Sequence, residues 1–317
     1  MRDHLVVTLL VGVLLAPAIA SAQSDWRPPQ EIAYRQATVW SEGIPLAAQV
    51  FQSRAYAGKR RPTVVLCHGW GGEAAGLRRQ AIAFANAGYT ALTFDYRGWG
   101  ESGGRLIAKG TPTPRRDGKP FTAEVIELRD VVHPWERIQD IVSVIAWTVA
   151  EPEVDADKLG LWGTSYGGGH ILFVAAYDAR IKAVVAQAAA FDGRRTGKSL
   201  EDWRAIGTRR ARGELAYPPP TARVPGRLYG FPVLEQMLHY APVEQAELIR
   251  PHQAVLIIAA EKEELLDNAV HGAKVHARLR GPKQYVVIPE VTHYDVYTKA
   301  FDRVTKMATD WYDQYLK

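Results

Sequence analysis

One serine in this sequence has the surroundings of a nucleophile. The segment Gly163-Thr164-Ser165-Tyr166-Gly167 follows an apolar run that ends at Trp162 and precedes an apolar stretch that begins near His170. A serine that attacks a carbonyl carbon must project from a tight turn between a strand and a helix, where flanking side chains would clash. Glycine two residues to either side avoids that clash. The segment therefore predicts Ser165 as the nucleophile of an acyl-transfer reaction.

An attacking serine needs a base, and the base needs an acid that orients it. His293 directly follows the last predicted strand, where a loop can carry it over the edge of a sheet. The acid is expected after the preceding strand, where the sequence offers Glu261, Glu263 and Glu264, with Asp267 further along. The chain order of serine, acid and histidine fits a nucleophile on such a turn. Order and residue type leave the choice among these carboxylates open.

A second glycine-rich segment could stabilise the negative charge that the attack creates. Cys67-His68-Gly69-Trp70-Gly71-Gly72 begins at the end of an earlier apolar run. The oxyanion of the tetrahedral intermediate needs two preorganised N–H donors. We expect one from the backbone of Tyr166, the residue after the nucleophile, and the other from the backbone of Trp70. His68 is expected to brace this loop and not to act as a base.

Alternating strands and helices are predicted to position these residues. Helical periodicity over Glu136 to Ala150 and over Tyr294 to Leu316 places apolar side chains on one stripe of each segment. A hairpin of antiparallel edge strands is expected over Gln36 to Ser41 and Leu46 to Gln52. Short apolar runs bounded by turn residues are predicted to be buried strands. They are Thr63 to Cys67, Tyr89 to Phe94, Lys158 to Trp162, Ile181 to Gln187, Val255 to Ala260 and Gln284 to Ile288. The pattern predicts an α/β fold with a mostly parallel central sheet flanked by helices.

Two stretches interrupt this alternation. Gly103 to Phe121 is rich in glycine, proline and basic residues and is predicted to be a long loop. Residues 191–251 separate the sixth and seventh core strands and contain several aromatic side chains. Insertions of this length are usually functional when they are ordered. We interpret the insertion as a cap over the active site. Its aromatic residues either favour an apolar or aromatic acyl or alkoxy group or form a small core of the cap itself.

The N-terminal segment has the features of a secretory signal. A short polar head containing Arg2 precedes an apolar run from Leu5 to Ala16, and Ala20-Ser21-Ala22 supplies a small-x-small cleavage pattern. The run is shorter than the roughly 20 apolar residues that a transmembrane helix needs. We expect residues 1–22 to be removed. The mature domain, 23–317, is then periplasmic or secreted, without stable membrane insertion.

Composition and cysteine content argue against several other classes of protein. The chain is 47% apolar and 23% charged with a net charge of +5, which is ordinary for a protein with a sizeable core. Aromatic residues are not interleaved with its short basic clusters, so nucleic-acid binding is not expected. Cys67 is the only cysteine, which excludes an intramolecular disulfide. With no clustered histidines beside it, the sequence predicts no metal site.

One motif could be mistaken for a cofactor site. Gly98-Trp99-Gly100-Glu101-Ser102-Gly103 matches G-x-G-x-x-G, but a dinucleotide site needs a helix to begin there, and prolines follow instead. The motif is better explained as a structural turn in which Asp95 and Arg97 are brace residues. We therefore expect no cofactor.

The segments HGWGG, DYRGWGES, GTSYGG, AEKEEL and THYD together resemble the α/β-hydrolase superfamily. More narrowly, they resemble the dienelactone-hydrolase-like and X-Pro-peptidase-like branch of its serine esterases, from Thr63 to the C-terminus and least in the insertion. In many relatives the acid stands in a G-x-x-D pattern. Laid over that pattern, Ala260-Glu261-Lys262-Glu263 puts Glu263 at the acid position. The resemblance thus implies a Ser165–His293–Glu263 triad, and a serine nucleophile argues against dienelactone hydrolysis itself, which uses cysteine.

These observations predict an exported carboxylesterase that cleaves a small-molecule ester through an acyl-enzyme intermediate. Peptidases of this fold generally resemble larger proteins with a propeller or extra binding domains, for which this chain has no room. An aminopeptidase-like hydrolase of small amides is the first alternative. The second is a catalytically silent scaffold that only binds a ligand.

Overall fold

The computed structural model describes residues 26–110, 117–195, 200–218 and 228–317. The predicted signal, residues 1–22, lies outside the described residues. Within the described ranges, eight strands form one central sheet. They are β1 (Ile32–Ser41), β2 (Ile44–Ser53), β3 (Arg61–Cys67), β4 (Thr90–Phe94), β5 (Val154–Thr164), β6 (Ile181–Gln187), β7 (Ala254–Lys262) and β8 (Lys283–Thr292).

The strands lie in the order β1-β2-β4-β3-β5-β6-β7-β8. From β4 to β8 every neighbouring pair is parallel, whereas β1 pairs antiparallel with β2, and β2 with β4. The pairing of β7 with β8 changes register between Ala260 and Lys262, and we call this irregularity the β7–β8 bulge. The predicted fold class, a mostly parallel sheet of the α/β-hydrolase type, is confirmed. Only β1 of the predicted hairpin is an edge strand, because β2 also pairs with β4.

Helices cover both faces of the sheet. They are α1 (Arg78–Asn86), α2 (Pro134–Val149), α3 (Tyr166–Tyr177), α4 (Leu200–Ala211), α5 (Leu234–Met237), α6 (Pro242–Gln245), α7 (Lys274–Arg278) and α8 (Phe301–Leu316). Side chains of α2 and α3 pack in one buried apolar cluster, and those of α1 and α8 pack in a second. Proline at the first position of α2 suits a helix start, where its missing N–H costs nothing. Within the described ranges, no helix has the length and apolar character needed to cross a bilayer.

The structure differs from the sequence prediction at the last helix and in the loop after Gly103, and it adds detail to the insertion. The last helix begins at Phe301 and not at Tyr294, because Asp295–Tyr297 forms a separate 3-10 turn and Thr298 leaves helical backbone angles. The predicted loop after Gly103 contains a short hairpin, Leu106–Ala108 paired with Val125–Glu127. The described part of the insertion holds α4, α5 and α6, with Trp203 of α4 fully buried.

Candidate active site

Ser165 lies on a strained turn between β5 and α3. Its backbone angles, φ 52° and ψ −123°, fall in a region that residues other than glycine rarely adopt. A Cβ added at Gly163 would come within 2.6 Å of the carbonyl oxygen of Gly167. A Cβ added at Gly167 would come within 2.5 Å of the carbonyl oxygen of Cys67. The two flanking glycines are therefore required by close backbone approach, as the sequence predicts.

The structure brings Ser165, His293 and Glu263 together. His293 Nε2 lies 3.1 Å from Ser165 Oγ. On the other side of the ring, Nδ1 lies 2.8 and 2.9 Å from the two carboxylate oxygens of Glu263. The His293 and Glu263 side chains are 3% and 2% exposed, so water competes little for these hydrogen bonds. A serine, an imidazole and a carboxylate in this order form a unit that can generate a nucleophilic hydroxyl.

The other three candidate acids are engaged elsewhere. Glu264 Oε2 accepts the backbone N–H of His293 at 2.7 Å, so this carboxylate fixes the loop that carries the histidine. Glu261 Oε2 accepts the N–H of Glu290 at 2.8 Å. Asp267 Oδ1 accepts the N–H of Ala269 at 2.9 Å. Of the four carboxylates left open by the sequence, Glu263 is the one within hydrogen-bond distance of the imidazole ring.

The two predicted oxyanion donors flank Ser165. Tyr166 is the first residue of α3, where backbone N–H groups have no acceptor within the helix and the helix dipole favours negative charge. Trp70 belongs to the loop after β3, which runs so close to the nucleophile that a Cβ added at Gly69 would lie 3.0 Å from Ser165 Cβ. Trp70 and Ser165 line the same cavity. The structure therefore places both residues next to Ser165, and their role as oxyanion donors remains a prediction.

Below this loop lies a buried arginine that the sequence analysis did not single out. Arg137, on α2, donates from Nη1 to the carbonyl oxygen of Gly69 at 3.1 Å and from Nη2 to that of Trp70 at 2.6 Å. His68 Nδ1 lies 3.0 Å from the same Gly69 oxygen. Burial, together with the nearby Arg137 charge, lowers the pKa of His68 to about 3, so the ring is neutral at physiological pH. His68 therefore braces the loop, as predicted.

The cavity at Ser165 has a volume of about 350 Å³. Its wall includes Tyr294 and Tyr297 from the loop after β8 and Leu228 and Tyr229 from the insertion. Tyr297 bonds through its hydroxyl to Thr164 Oγ1 at 2.7 Å, which ties this wall to the turn before the nucleophile. The Tyr229 hydroxyl donates to Asp130 Oδ2 at 2.8 Å. Part of the predicted cap thus forms part of the cavity wall.

The glycine motif at residues 98–103 is a structural turn. Asp95 accepts the backbone N–H groups of Ala74 at 2.6 Å and Glu101 at 3.1 Å, and burial raises its pKa to about 6. Arg97 donates through Nε and Nη2 to Asp140 at 2.9 and 2.7 Å. Asp95 holds the turn to the segment at Ala74, and Arg97 holds it to α2, in agreement with the predicted brace roles. In the part of the chain that the structure describes, no group of three or more His, Cys, Asp or Glu side chains is arranged to hold a metal ion.

Several known proteins are similar to this chain over most of its length. An uncharacterized 31.7 kDa protein from the traX-finO intergenic region of Escherichia coli is 28% identical, covering 87% of this chain and 97% of that protein. The crystal structure of the α/β hydrolase GrgF from Penicillium superposes with a TM-score of 0.68 at 17% identity, covering 90% and 99% of the two chains. Acetyl xylan esterase 1 from Thermoanaerobacterium superposes with a TM-score of 0.61 at 17% identity, covering 90% and 85%.

A family model also matches the sequence. The model of the X-Pro dipeptidyl-peptidase (S15) family matches residues 42–202, which is half of the chain. The matched region includes the turn at Ser165, the loop at Trp70 and the buried Arg137. The chain therefore belongs to the X-Pro dipeptidyl-peptidase (S15) family, and its fold is that of the α/β hydrolases.

Proposed function

We propose that this protein is a serine esterase that cleaves a carboxylic ester through Ser165, His293 and Glu263. One observation carries the proposal. The strained turn presents Ser165 Oγ 3.1 Å from an imidazole whose other nitrogen contacts a buried carboxylate at 2.8 Å. An imidazole held in this way accepts a proton at Nε2, while its Nδ1 proton stays on the ring and is donated in a hydrogen bond to the carboxylate.

The proposed reaction has two stages. Ser165 Oγ attacks the ester carbonyl while His293 Nε2 takes the hydroxyl proton, and Glu263 stabilises the imidazolium that forms. The backbone N–H groups of Trp70 and Tyr166 bind the oxyanion of the tetrahedral intermediate. Its collapse breaks the bond to the alkoxy oxygen, which leaves as the alcohol with the proton from His293. Water, deprotonated by His293, then attacks the acyl-enzyme. The bond to Ser165 Oγ breaks, His293 returns the proton to that oxygen, and the carboxylic acid is released.

The cavity supports a small ester as substrate. Its aromatic and aliphatic wall, which includes Trp70, Leu228, Tyr229 and Tyr294, suits an apolar or aromatic group on the acyl or alkoxy side. A structural neighbour is named as an acetyl xylan esterase, and ester cleavage is therefore compatible with this arrangement of the fold. A panel of p-nitrophenyl esters with acyl chains of two to ten carbons would define the preferred size.

Ser165→Ala tests the proposal directly. Because this change removes the attacking oxygen, we expect kcat on the best ester of the panel to fall by about 10⁴–10⁶-fold. A fluorophosphonate probe should label the wild type at Ser165 and leave the variant unlabelled. Ser143→Ala, which removes a hydroxyl on α2 that bonds to Ser41, is the control and should keep both properties. Normal turnover by Ser165→Ala would contradict the proposal, and an unlabelled, inactive wild type would favour a silent scaffold.

The family match supports a second candidate, hydrolysis of small amides or of peptides with a free amino terminus. A free amino terminus is cationic and needs an anionic partner in the cavity. Glu73 is exposed and lines the same cavity as Ser165, so its carboxylate is available for that contact. Rates on a p-nitrophenyl ester and on its matched p-nitroanilide separate the two candidates. If the protein is an esterase, the ester should be cleaved much faster than the anilide. If it is a peptidase, an X-Pro p-nitroanilide should be cleaved at a rate comparable to that of the ester, and Glu73→Gln should raise the KM for this anilide.

We also propose that residues 1–22 direct export and that residues 191–251 act as a cap. The composition of the N-terminal segment supports the first. The contribution of Leu228 and Tyr229 to the cavity wall supports the second. N-terminal sequencing of the protein recovered outside the cytoplasm should begin at Gln23. A full-length chain retained with the membrane fraction would contradict export of a cleaved form.

A further inference from the structure

The buried guanidinium of Arg137 makes contacts that bear on the proposed oxyanion donor. Its two terminal nitrogens donate to the carbonyl oxygens of Gly69 and Trp70 at 3.1 and 2.6 Å. The residue is 2% exposed and lies beneath the loop, against the rings of Tyr96 and Trp99. Its head group thus touches the backbone of the loop and not the cavity that a substrate would enter.

The contact with Gly69 involves the peptide unit whose N–H is the proposed donor. The carbonyl of Gly69 and the N–H of Trp70 belong to one peptide bond. Within the described residues, the bond between Tyr217 and Pro218 is the one cis peptide, so the bond between Gly69 and Trp70 is trans. In a planar trans peptide the C=O and the N–H point in opposite directions. Holding the Gly69 oxygen down towards Arg137 therefore turns the Trp70 N–H away from it, towards the cavity.

The positively charged guanidinium that donates to the Gly69 oxygen also makes the Trp70 N–H a stronger donor. A hydrogen bond that polarises the carbonyl end of an amide makes its N–H a better donor, since hydrogen bonds in series reinforce one another. His68 Nδ1 lies 3.0 Å from the same oxygen, and because a carbonyl only accepts, this nitrogen carries the proton. Two donors, one of them charged, therefore hold the Gly69 carbonyl.

Arg137 lacks the partner that a buried charge usually has. Among the described residues it forms no ion pair, and its Nε has no hydrogen-bond acceptor. The charge of Asp140, on the same helix, favours the protonated guanidinium, but this carboxylate is itself bonded to Arg97. Burial lowers the pKa of Arg137, but arginine remains charged in proteins because its ordinary pKa is so high. The two loop carbonyls and the aromatic rings thus stabilise this buried charge in place of an ion pair, which favours a role for Arg137 at the loop.

We propose that Arg137 is a positioning residue that orients and polarises the peptide between Gly69 and Trp70, so that the Trp70 N–H binds the oxyanion. This inference rests on the proposed esterase function. It deepens that proposal, because it attributes part of the stabilisation of the oxyanion to the charge of Arg137 on α2. An interaction that acts on the oxyanion alone stabilises the transition state more than the bound substrate.

The test compares Arg137→Met, Arg137→Lys and the control Arg61→Met with the wild type. Arg61 is also buried, and it lies at the opposite end of β3 with its Nε and Nη1 unpartnered among the described residues. The measurements are kcat and KM on p-nitrophenyl butyrate and Ki for trifluoroacetophenone, a ketone that forms a hemiketal oxyanion on an active serine. Thermal unfolding of each variant shows whether it is folded.

For Arg137→Met we expect kcat to fall by about 10–100-fold and KM to stay within about twofold. Ki for the ketone should rise by the same factor as kcat/KM falls. Arg137→Lys keeps the charge but loses the paired geometry, so we expect kcat to fall and Ki to rise, each by about 3–10-fold. Arg61→Met should leave kcat and Ki within about twofold of the wild type, whatever its unfolding temperature.

An unchanged kcat in a folded Arg137→Met protein would overturn the inference, as would a rise in KM alone or a fall in kcat without a rise in Ki. If Arg137→Met does not fold, Arg137→Lys decides by the same measurements, and unchanged values overturn the inference. A wild type that neither cleaves esters nor reacts with fluorophosphonate would instead refute the proposed function.

Discussion

Three glutamates follow one another closely at and just after the end of β7, and their hydrogen-bond partners distinguish the proposed catalytic acid, Glu263, from the other two. Glu261, Glu263 and Glu264 lie within four positions of one another, but each carboxylate accepts a different proton. Only Glu263 lies within hydrogen-bond distance of the imidazole. The role proposed for Glu263 therefore predicts an effect on catalysis that its neighbours do not share.

We expect Glu263→Gln to lower kcat by about 10³–10⁴-fold, because an amide neither selects the correct imidazole tautomer nor stabilises the imidazolium. Steady-state turnover of the preferred p-nitrophenyl ester measures the effect. Glu261→Gln is the matched control and should stay within about threefold of wild type, since its contact is with the Glu290 backbone. Equal losses in the two variants would mean that the acid is misassigned.

The sequence could predict some of these residues and not others. Ser165 and His293 stand out because glycines flank one and a predicted strand precedes the other. Glu263 required a resemblance, since residue type and chain order do not distinguish it from its neighbours. Arg137 was missed, although a signal exists. It lies one turn before Ile141 on the apolar stripe of α2, and a charge on such a stripe needs an explanation. Which carbonyls it contacts could not be predicted, because they belong to a loop distant in sequence.

At the scale of elements, a carboxylate ties the insertion to α7 and joins two segments of the insertion to each other. Glu244 of α6 accepts from Arg278 of α7 at 2.6 Å and from Arg194, just after β6, at 2.9 Å. Hydrogen bonds from Arg278 and then Arg194 lower the pKa of Glu244 to about 2. A lowered pKa means that the pairs stabilise the fold above the ordinary value of 4.5, and that this stability is lost as pH falls towards 2.

We expect Glu244→Gln to reduce the free energy of unfolding at pH 7 by about 0.5–1 kcal/mol, a modest figure because the pairs are partly exposed. The difference from wild type should narrow as the pH falls from about 4.5 towards 2. Urea unfolding at pH 7 and at pH 3.5 measures it. Glu247→Gln is the control, because its contact with Arg280 is 3.9 Å long and exposed. A difference that does not depend on pH would contradict the argument.

The regular elements were easier to predict than their junctions. The buried strands follow from continuous apolar runs, and Ile181–Gln187 has the predicted bounds. The start of α8 was misplaced because the apolar spacing continues through Tyr297, whereas the chain there must turn to present His293. The helices of the insertion were not predicted individually, because its aromatic residues, including the fully buried Trp203, have no simple period.

At the scale of the whole molecule, the single cysteine reports on the integrity of the core. Cys67 is fully buried at the end of β3, in the apolar cluster shared with α2 and α3. Burial raises the pKa of its thiol to about 12, so the reactive thiolate is scarce at neutral pH. Access to the sulfur requires this cluster to open.

We therefore expect the native protein to resist a disulfide reagent such as dithionitrobenzoate at pH 8 and to react fully in denaturing urea. The labelling rate at intermediate urea should follow the loss of secondary structure measured by circular dichroism. Stoichiometric labelling within seconds in buffer alone would show that the cluster around β3 opens far more readily than its burial implies.

The β7–β8 bulge has a consequence for how this chain could diverge. Ala260 pairs with Ile288, but Lys262 pairs with Thr292. Between these two pairs β8 therefore contains two more residues than β7. Those extra residues determine where the His293 ring lies, along the strand direction, relative to Glu261, Glu263 and Glu264 at and just after the end of β7. An insertion or deletion on one strand would present a different glutamate to the ring without any acidic residue being mutated. In homologous chains, the acid should therefore be identified by strand register and not by alignment column.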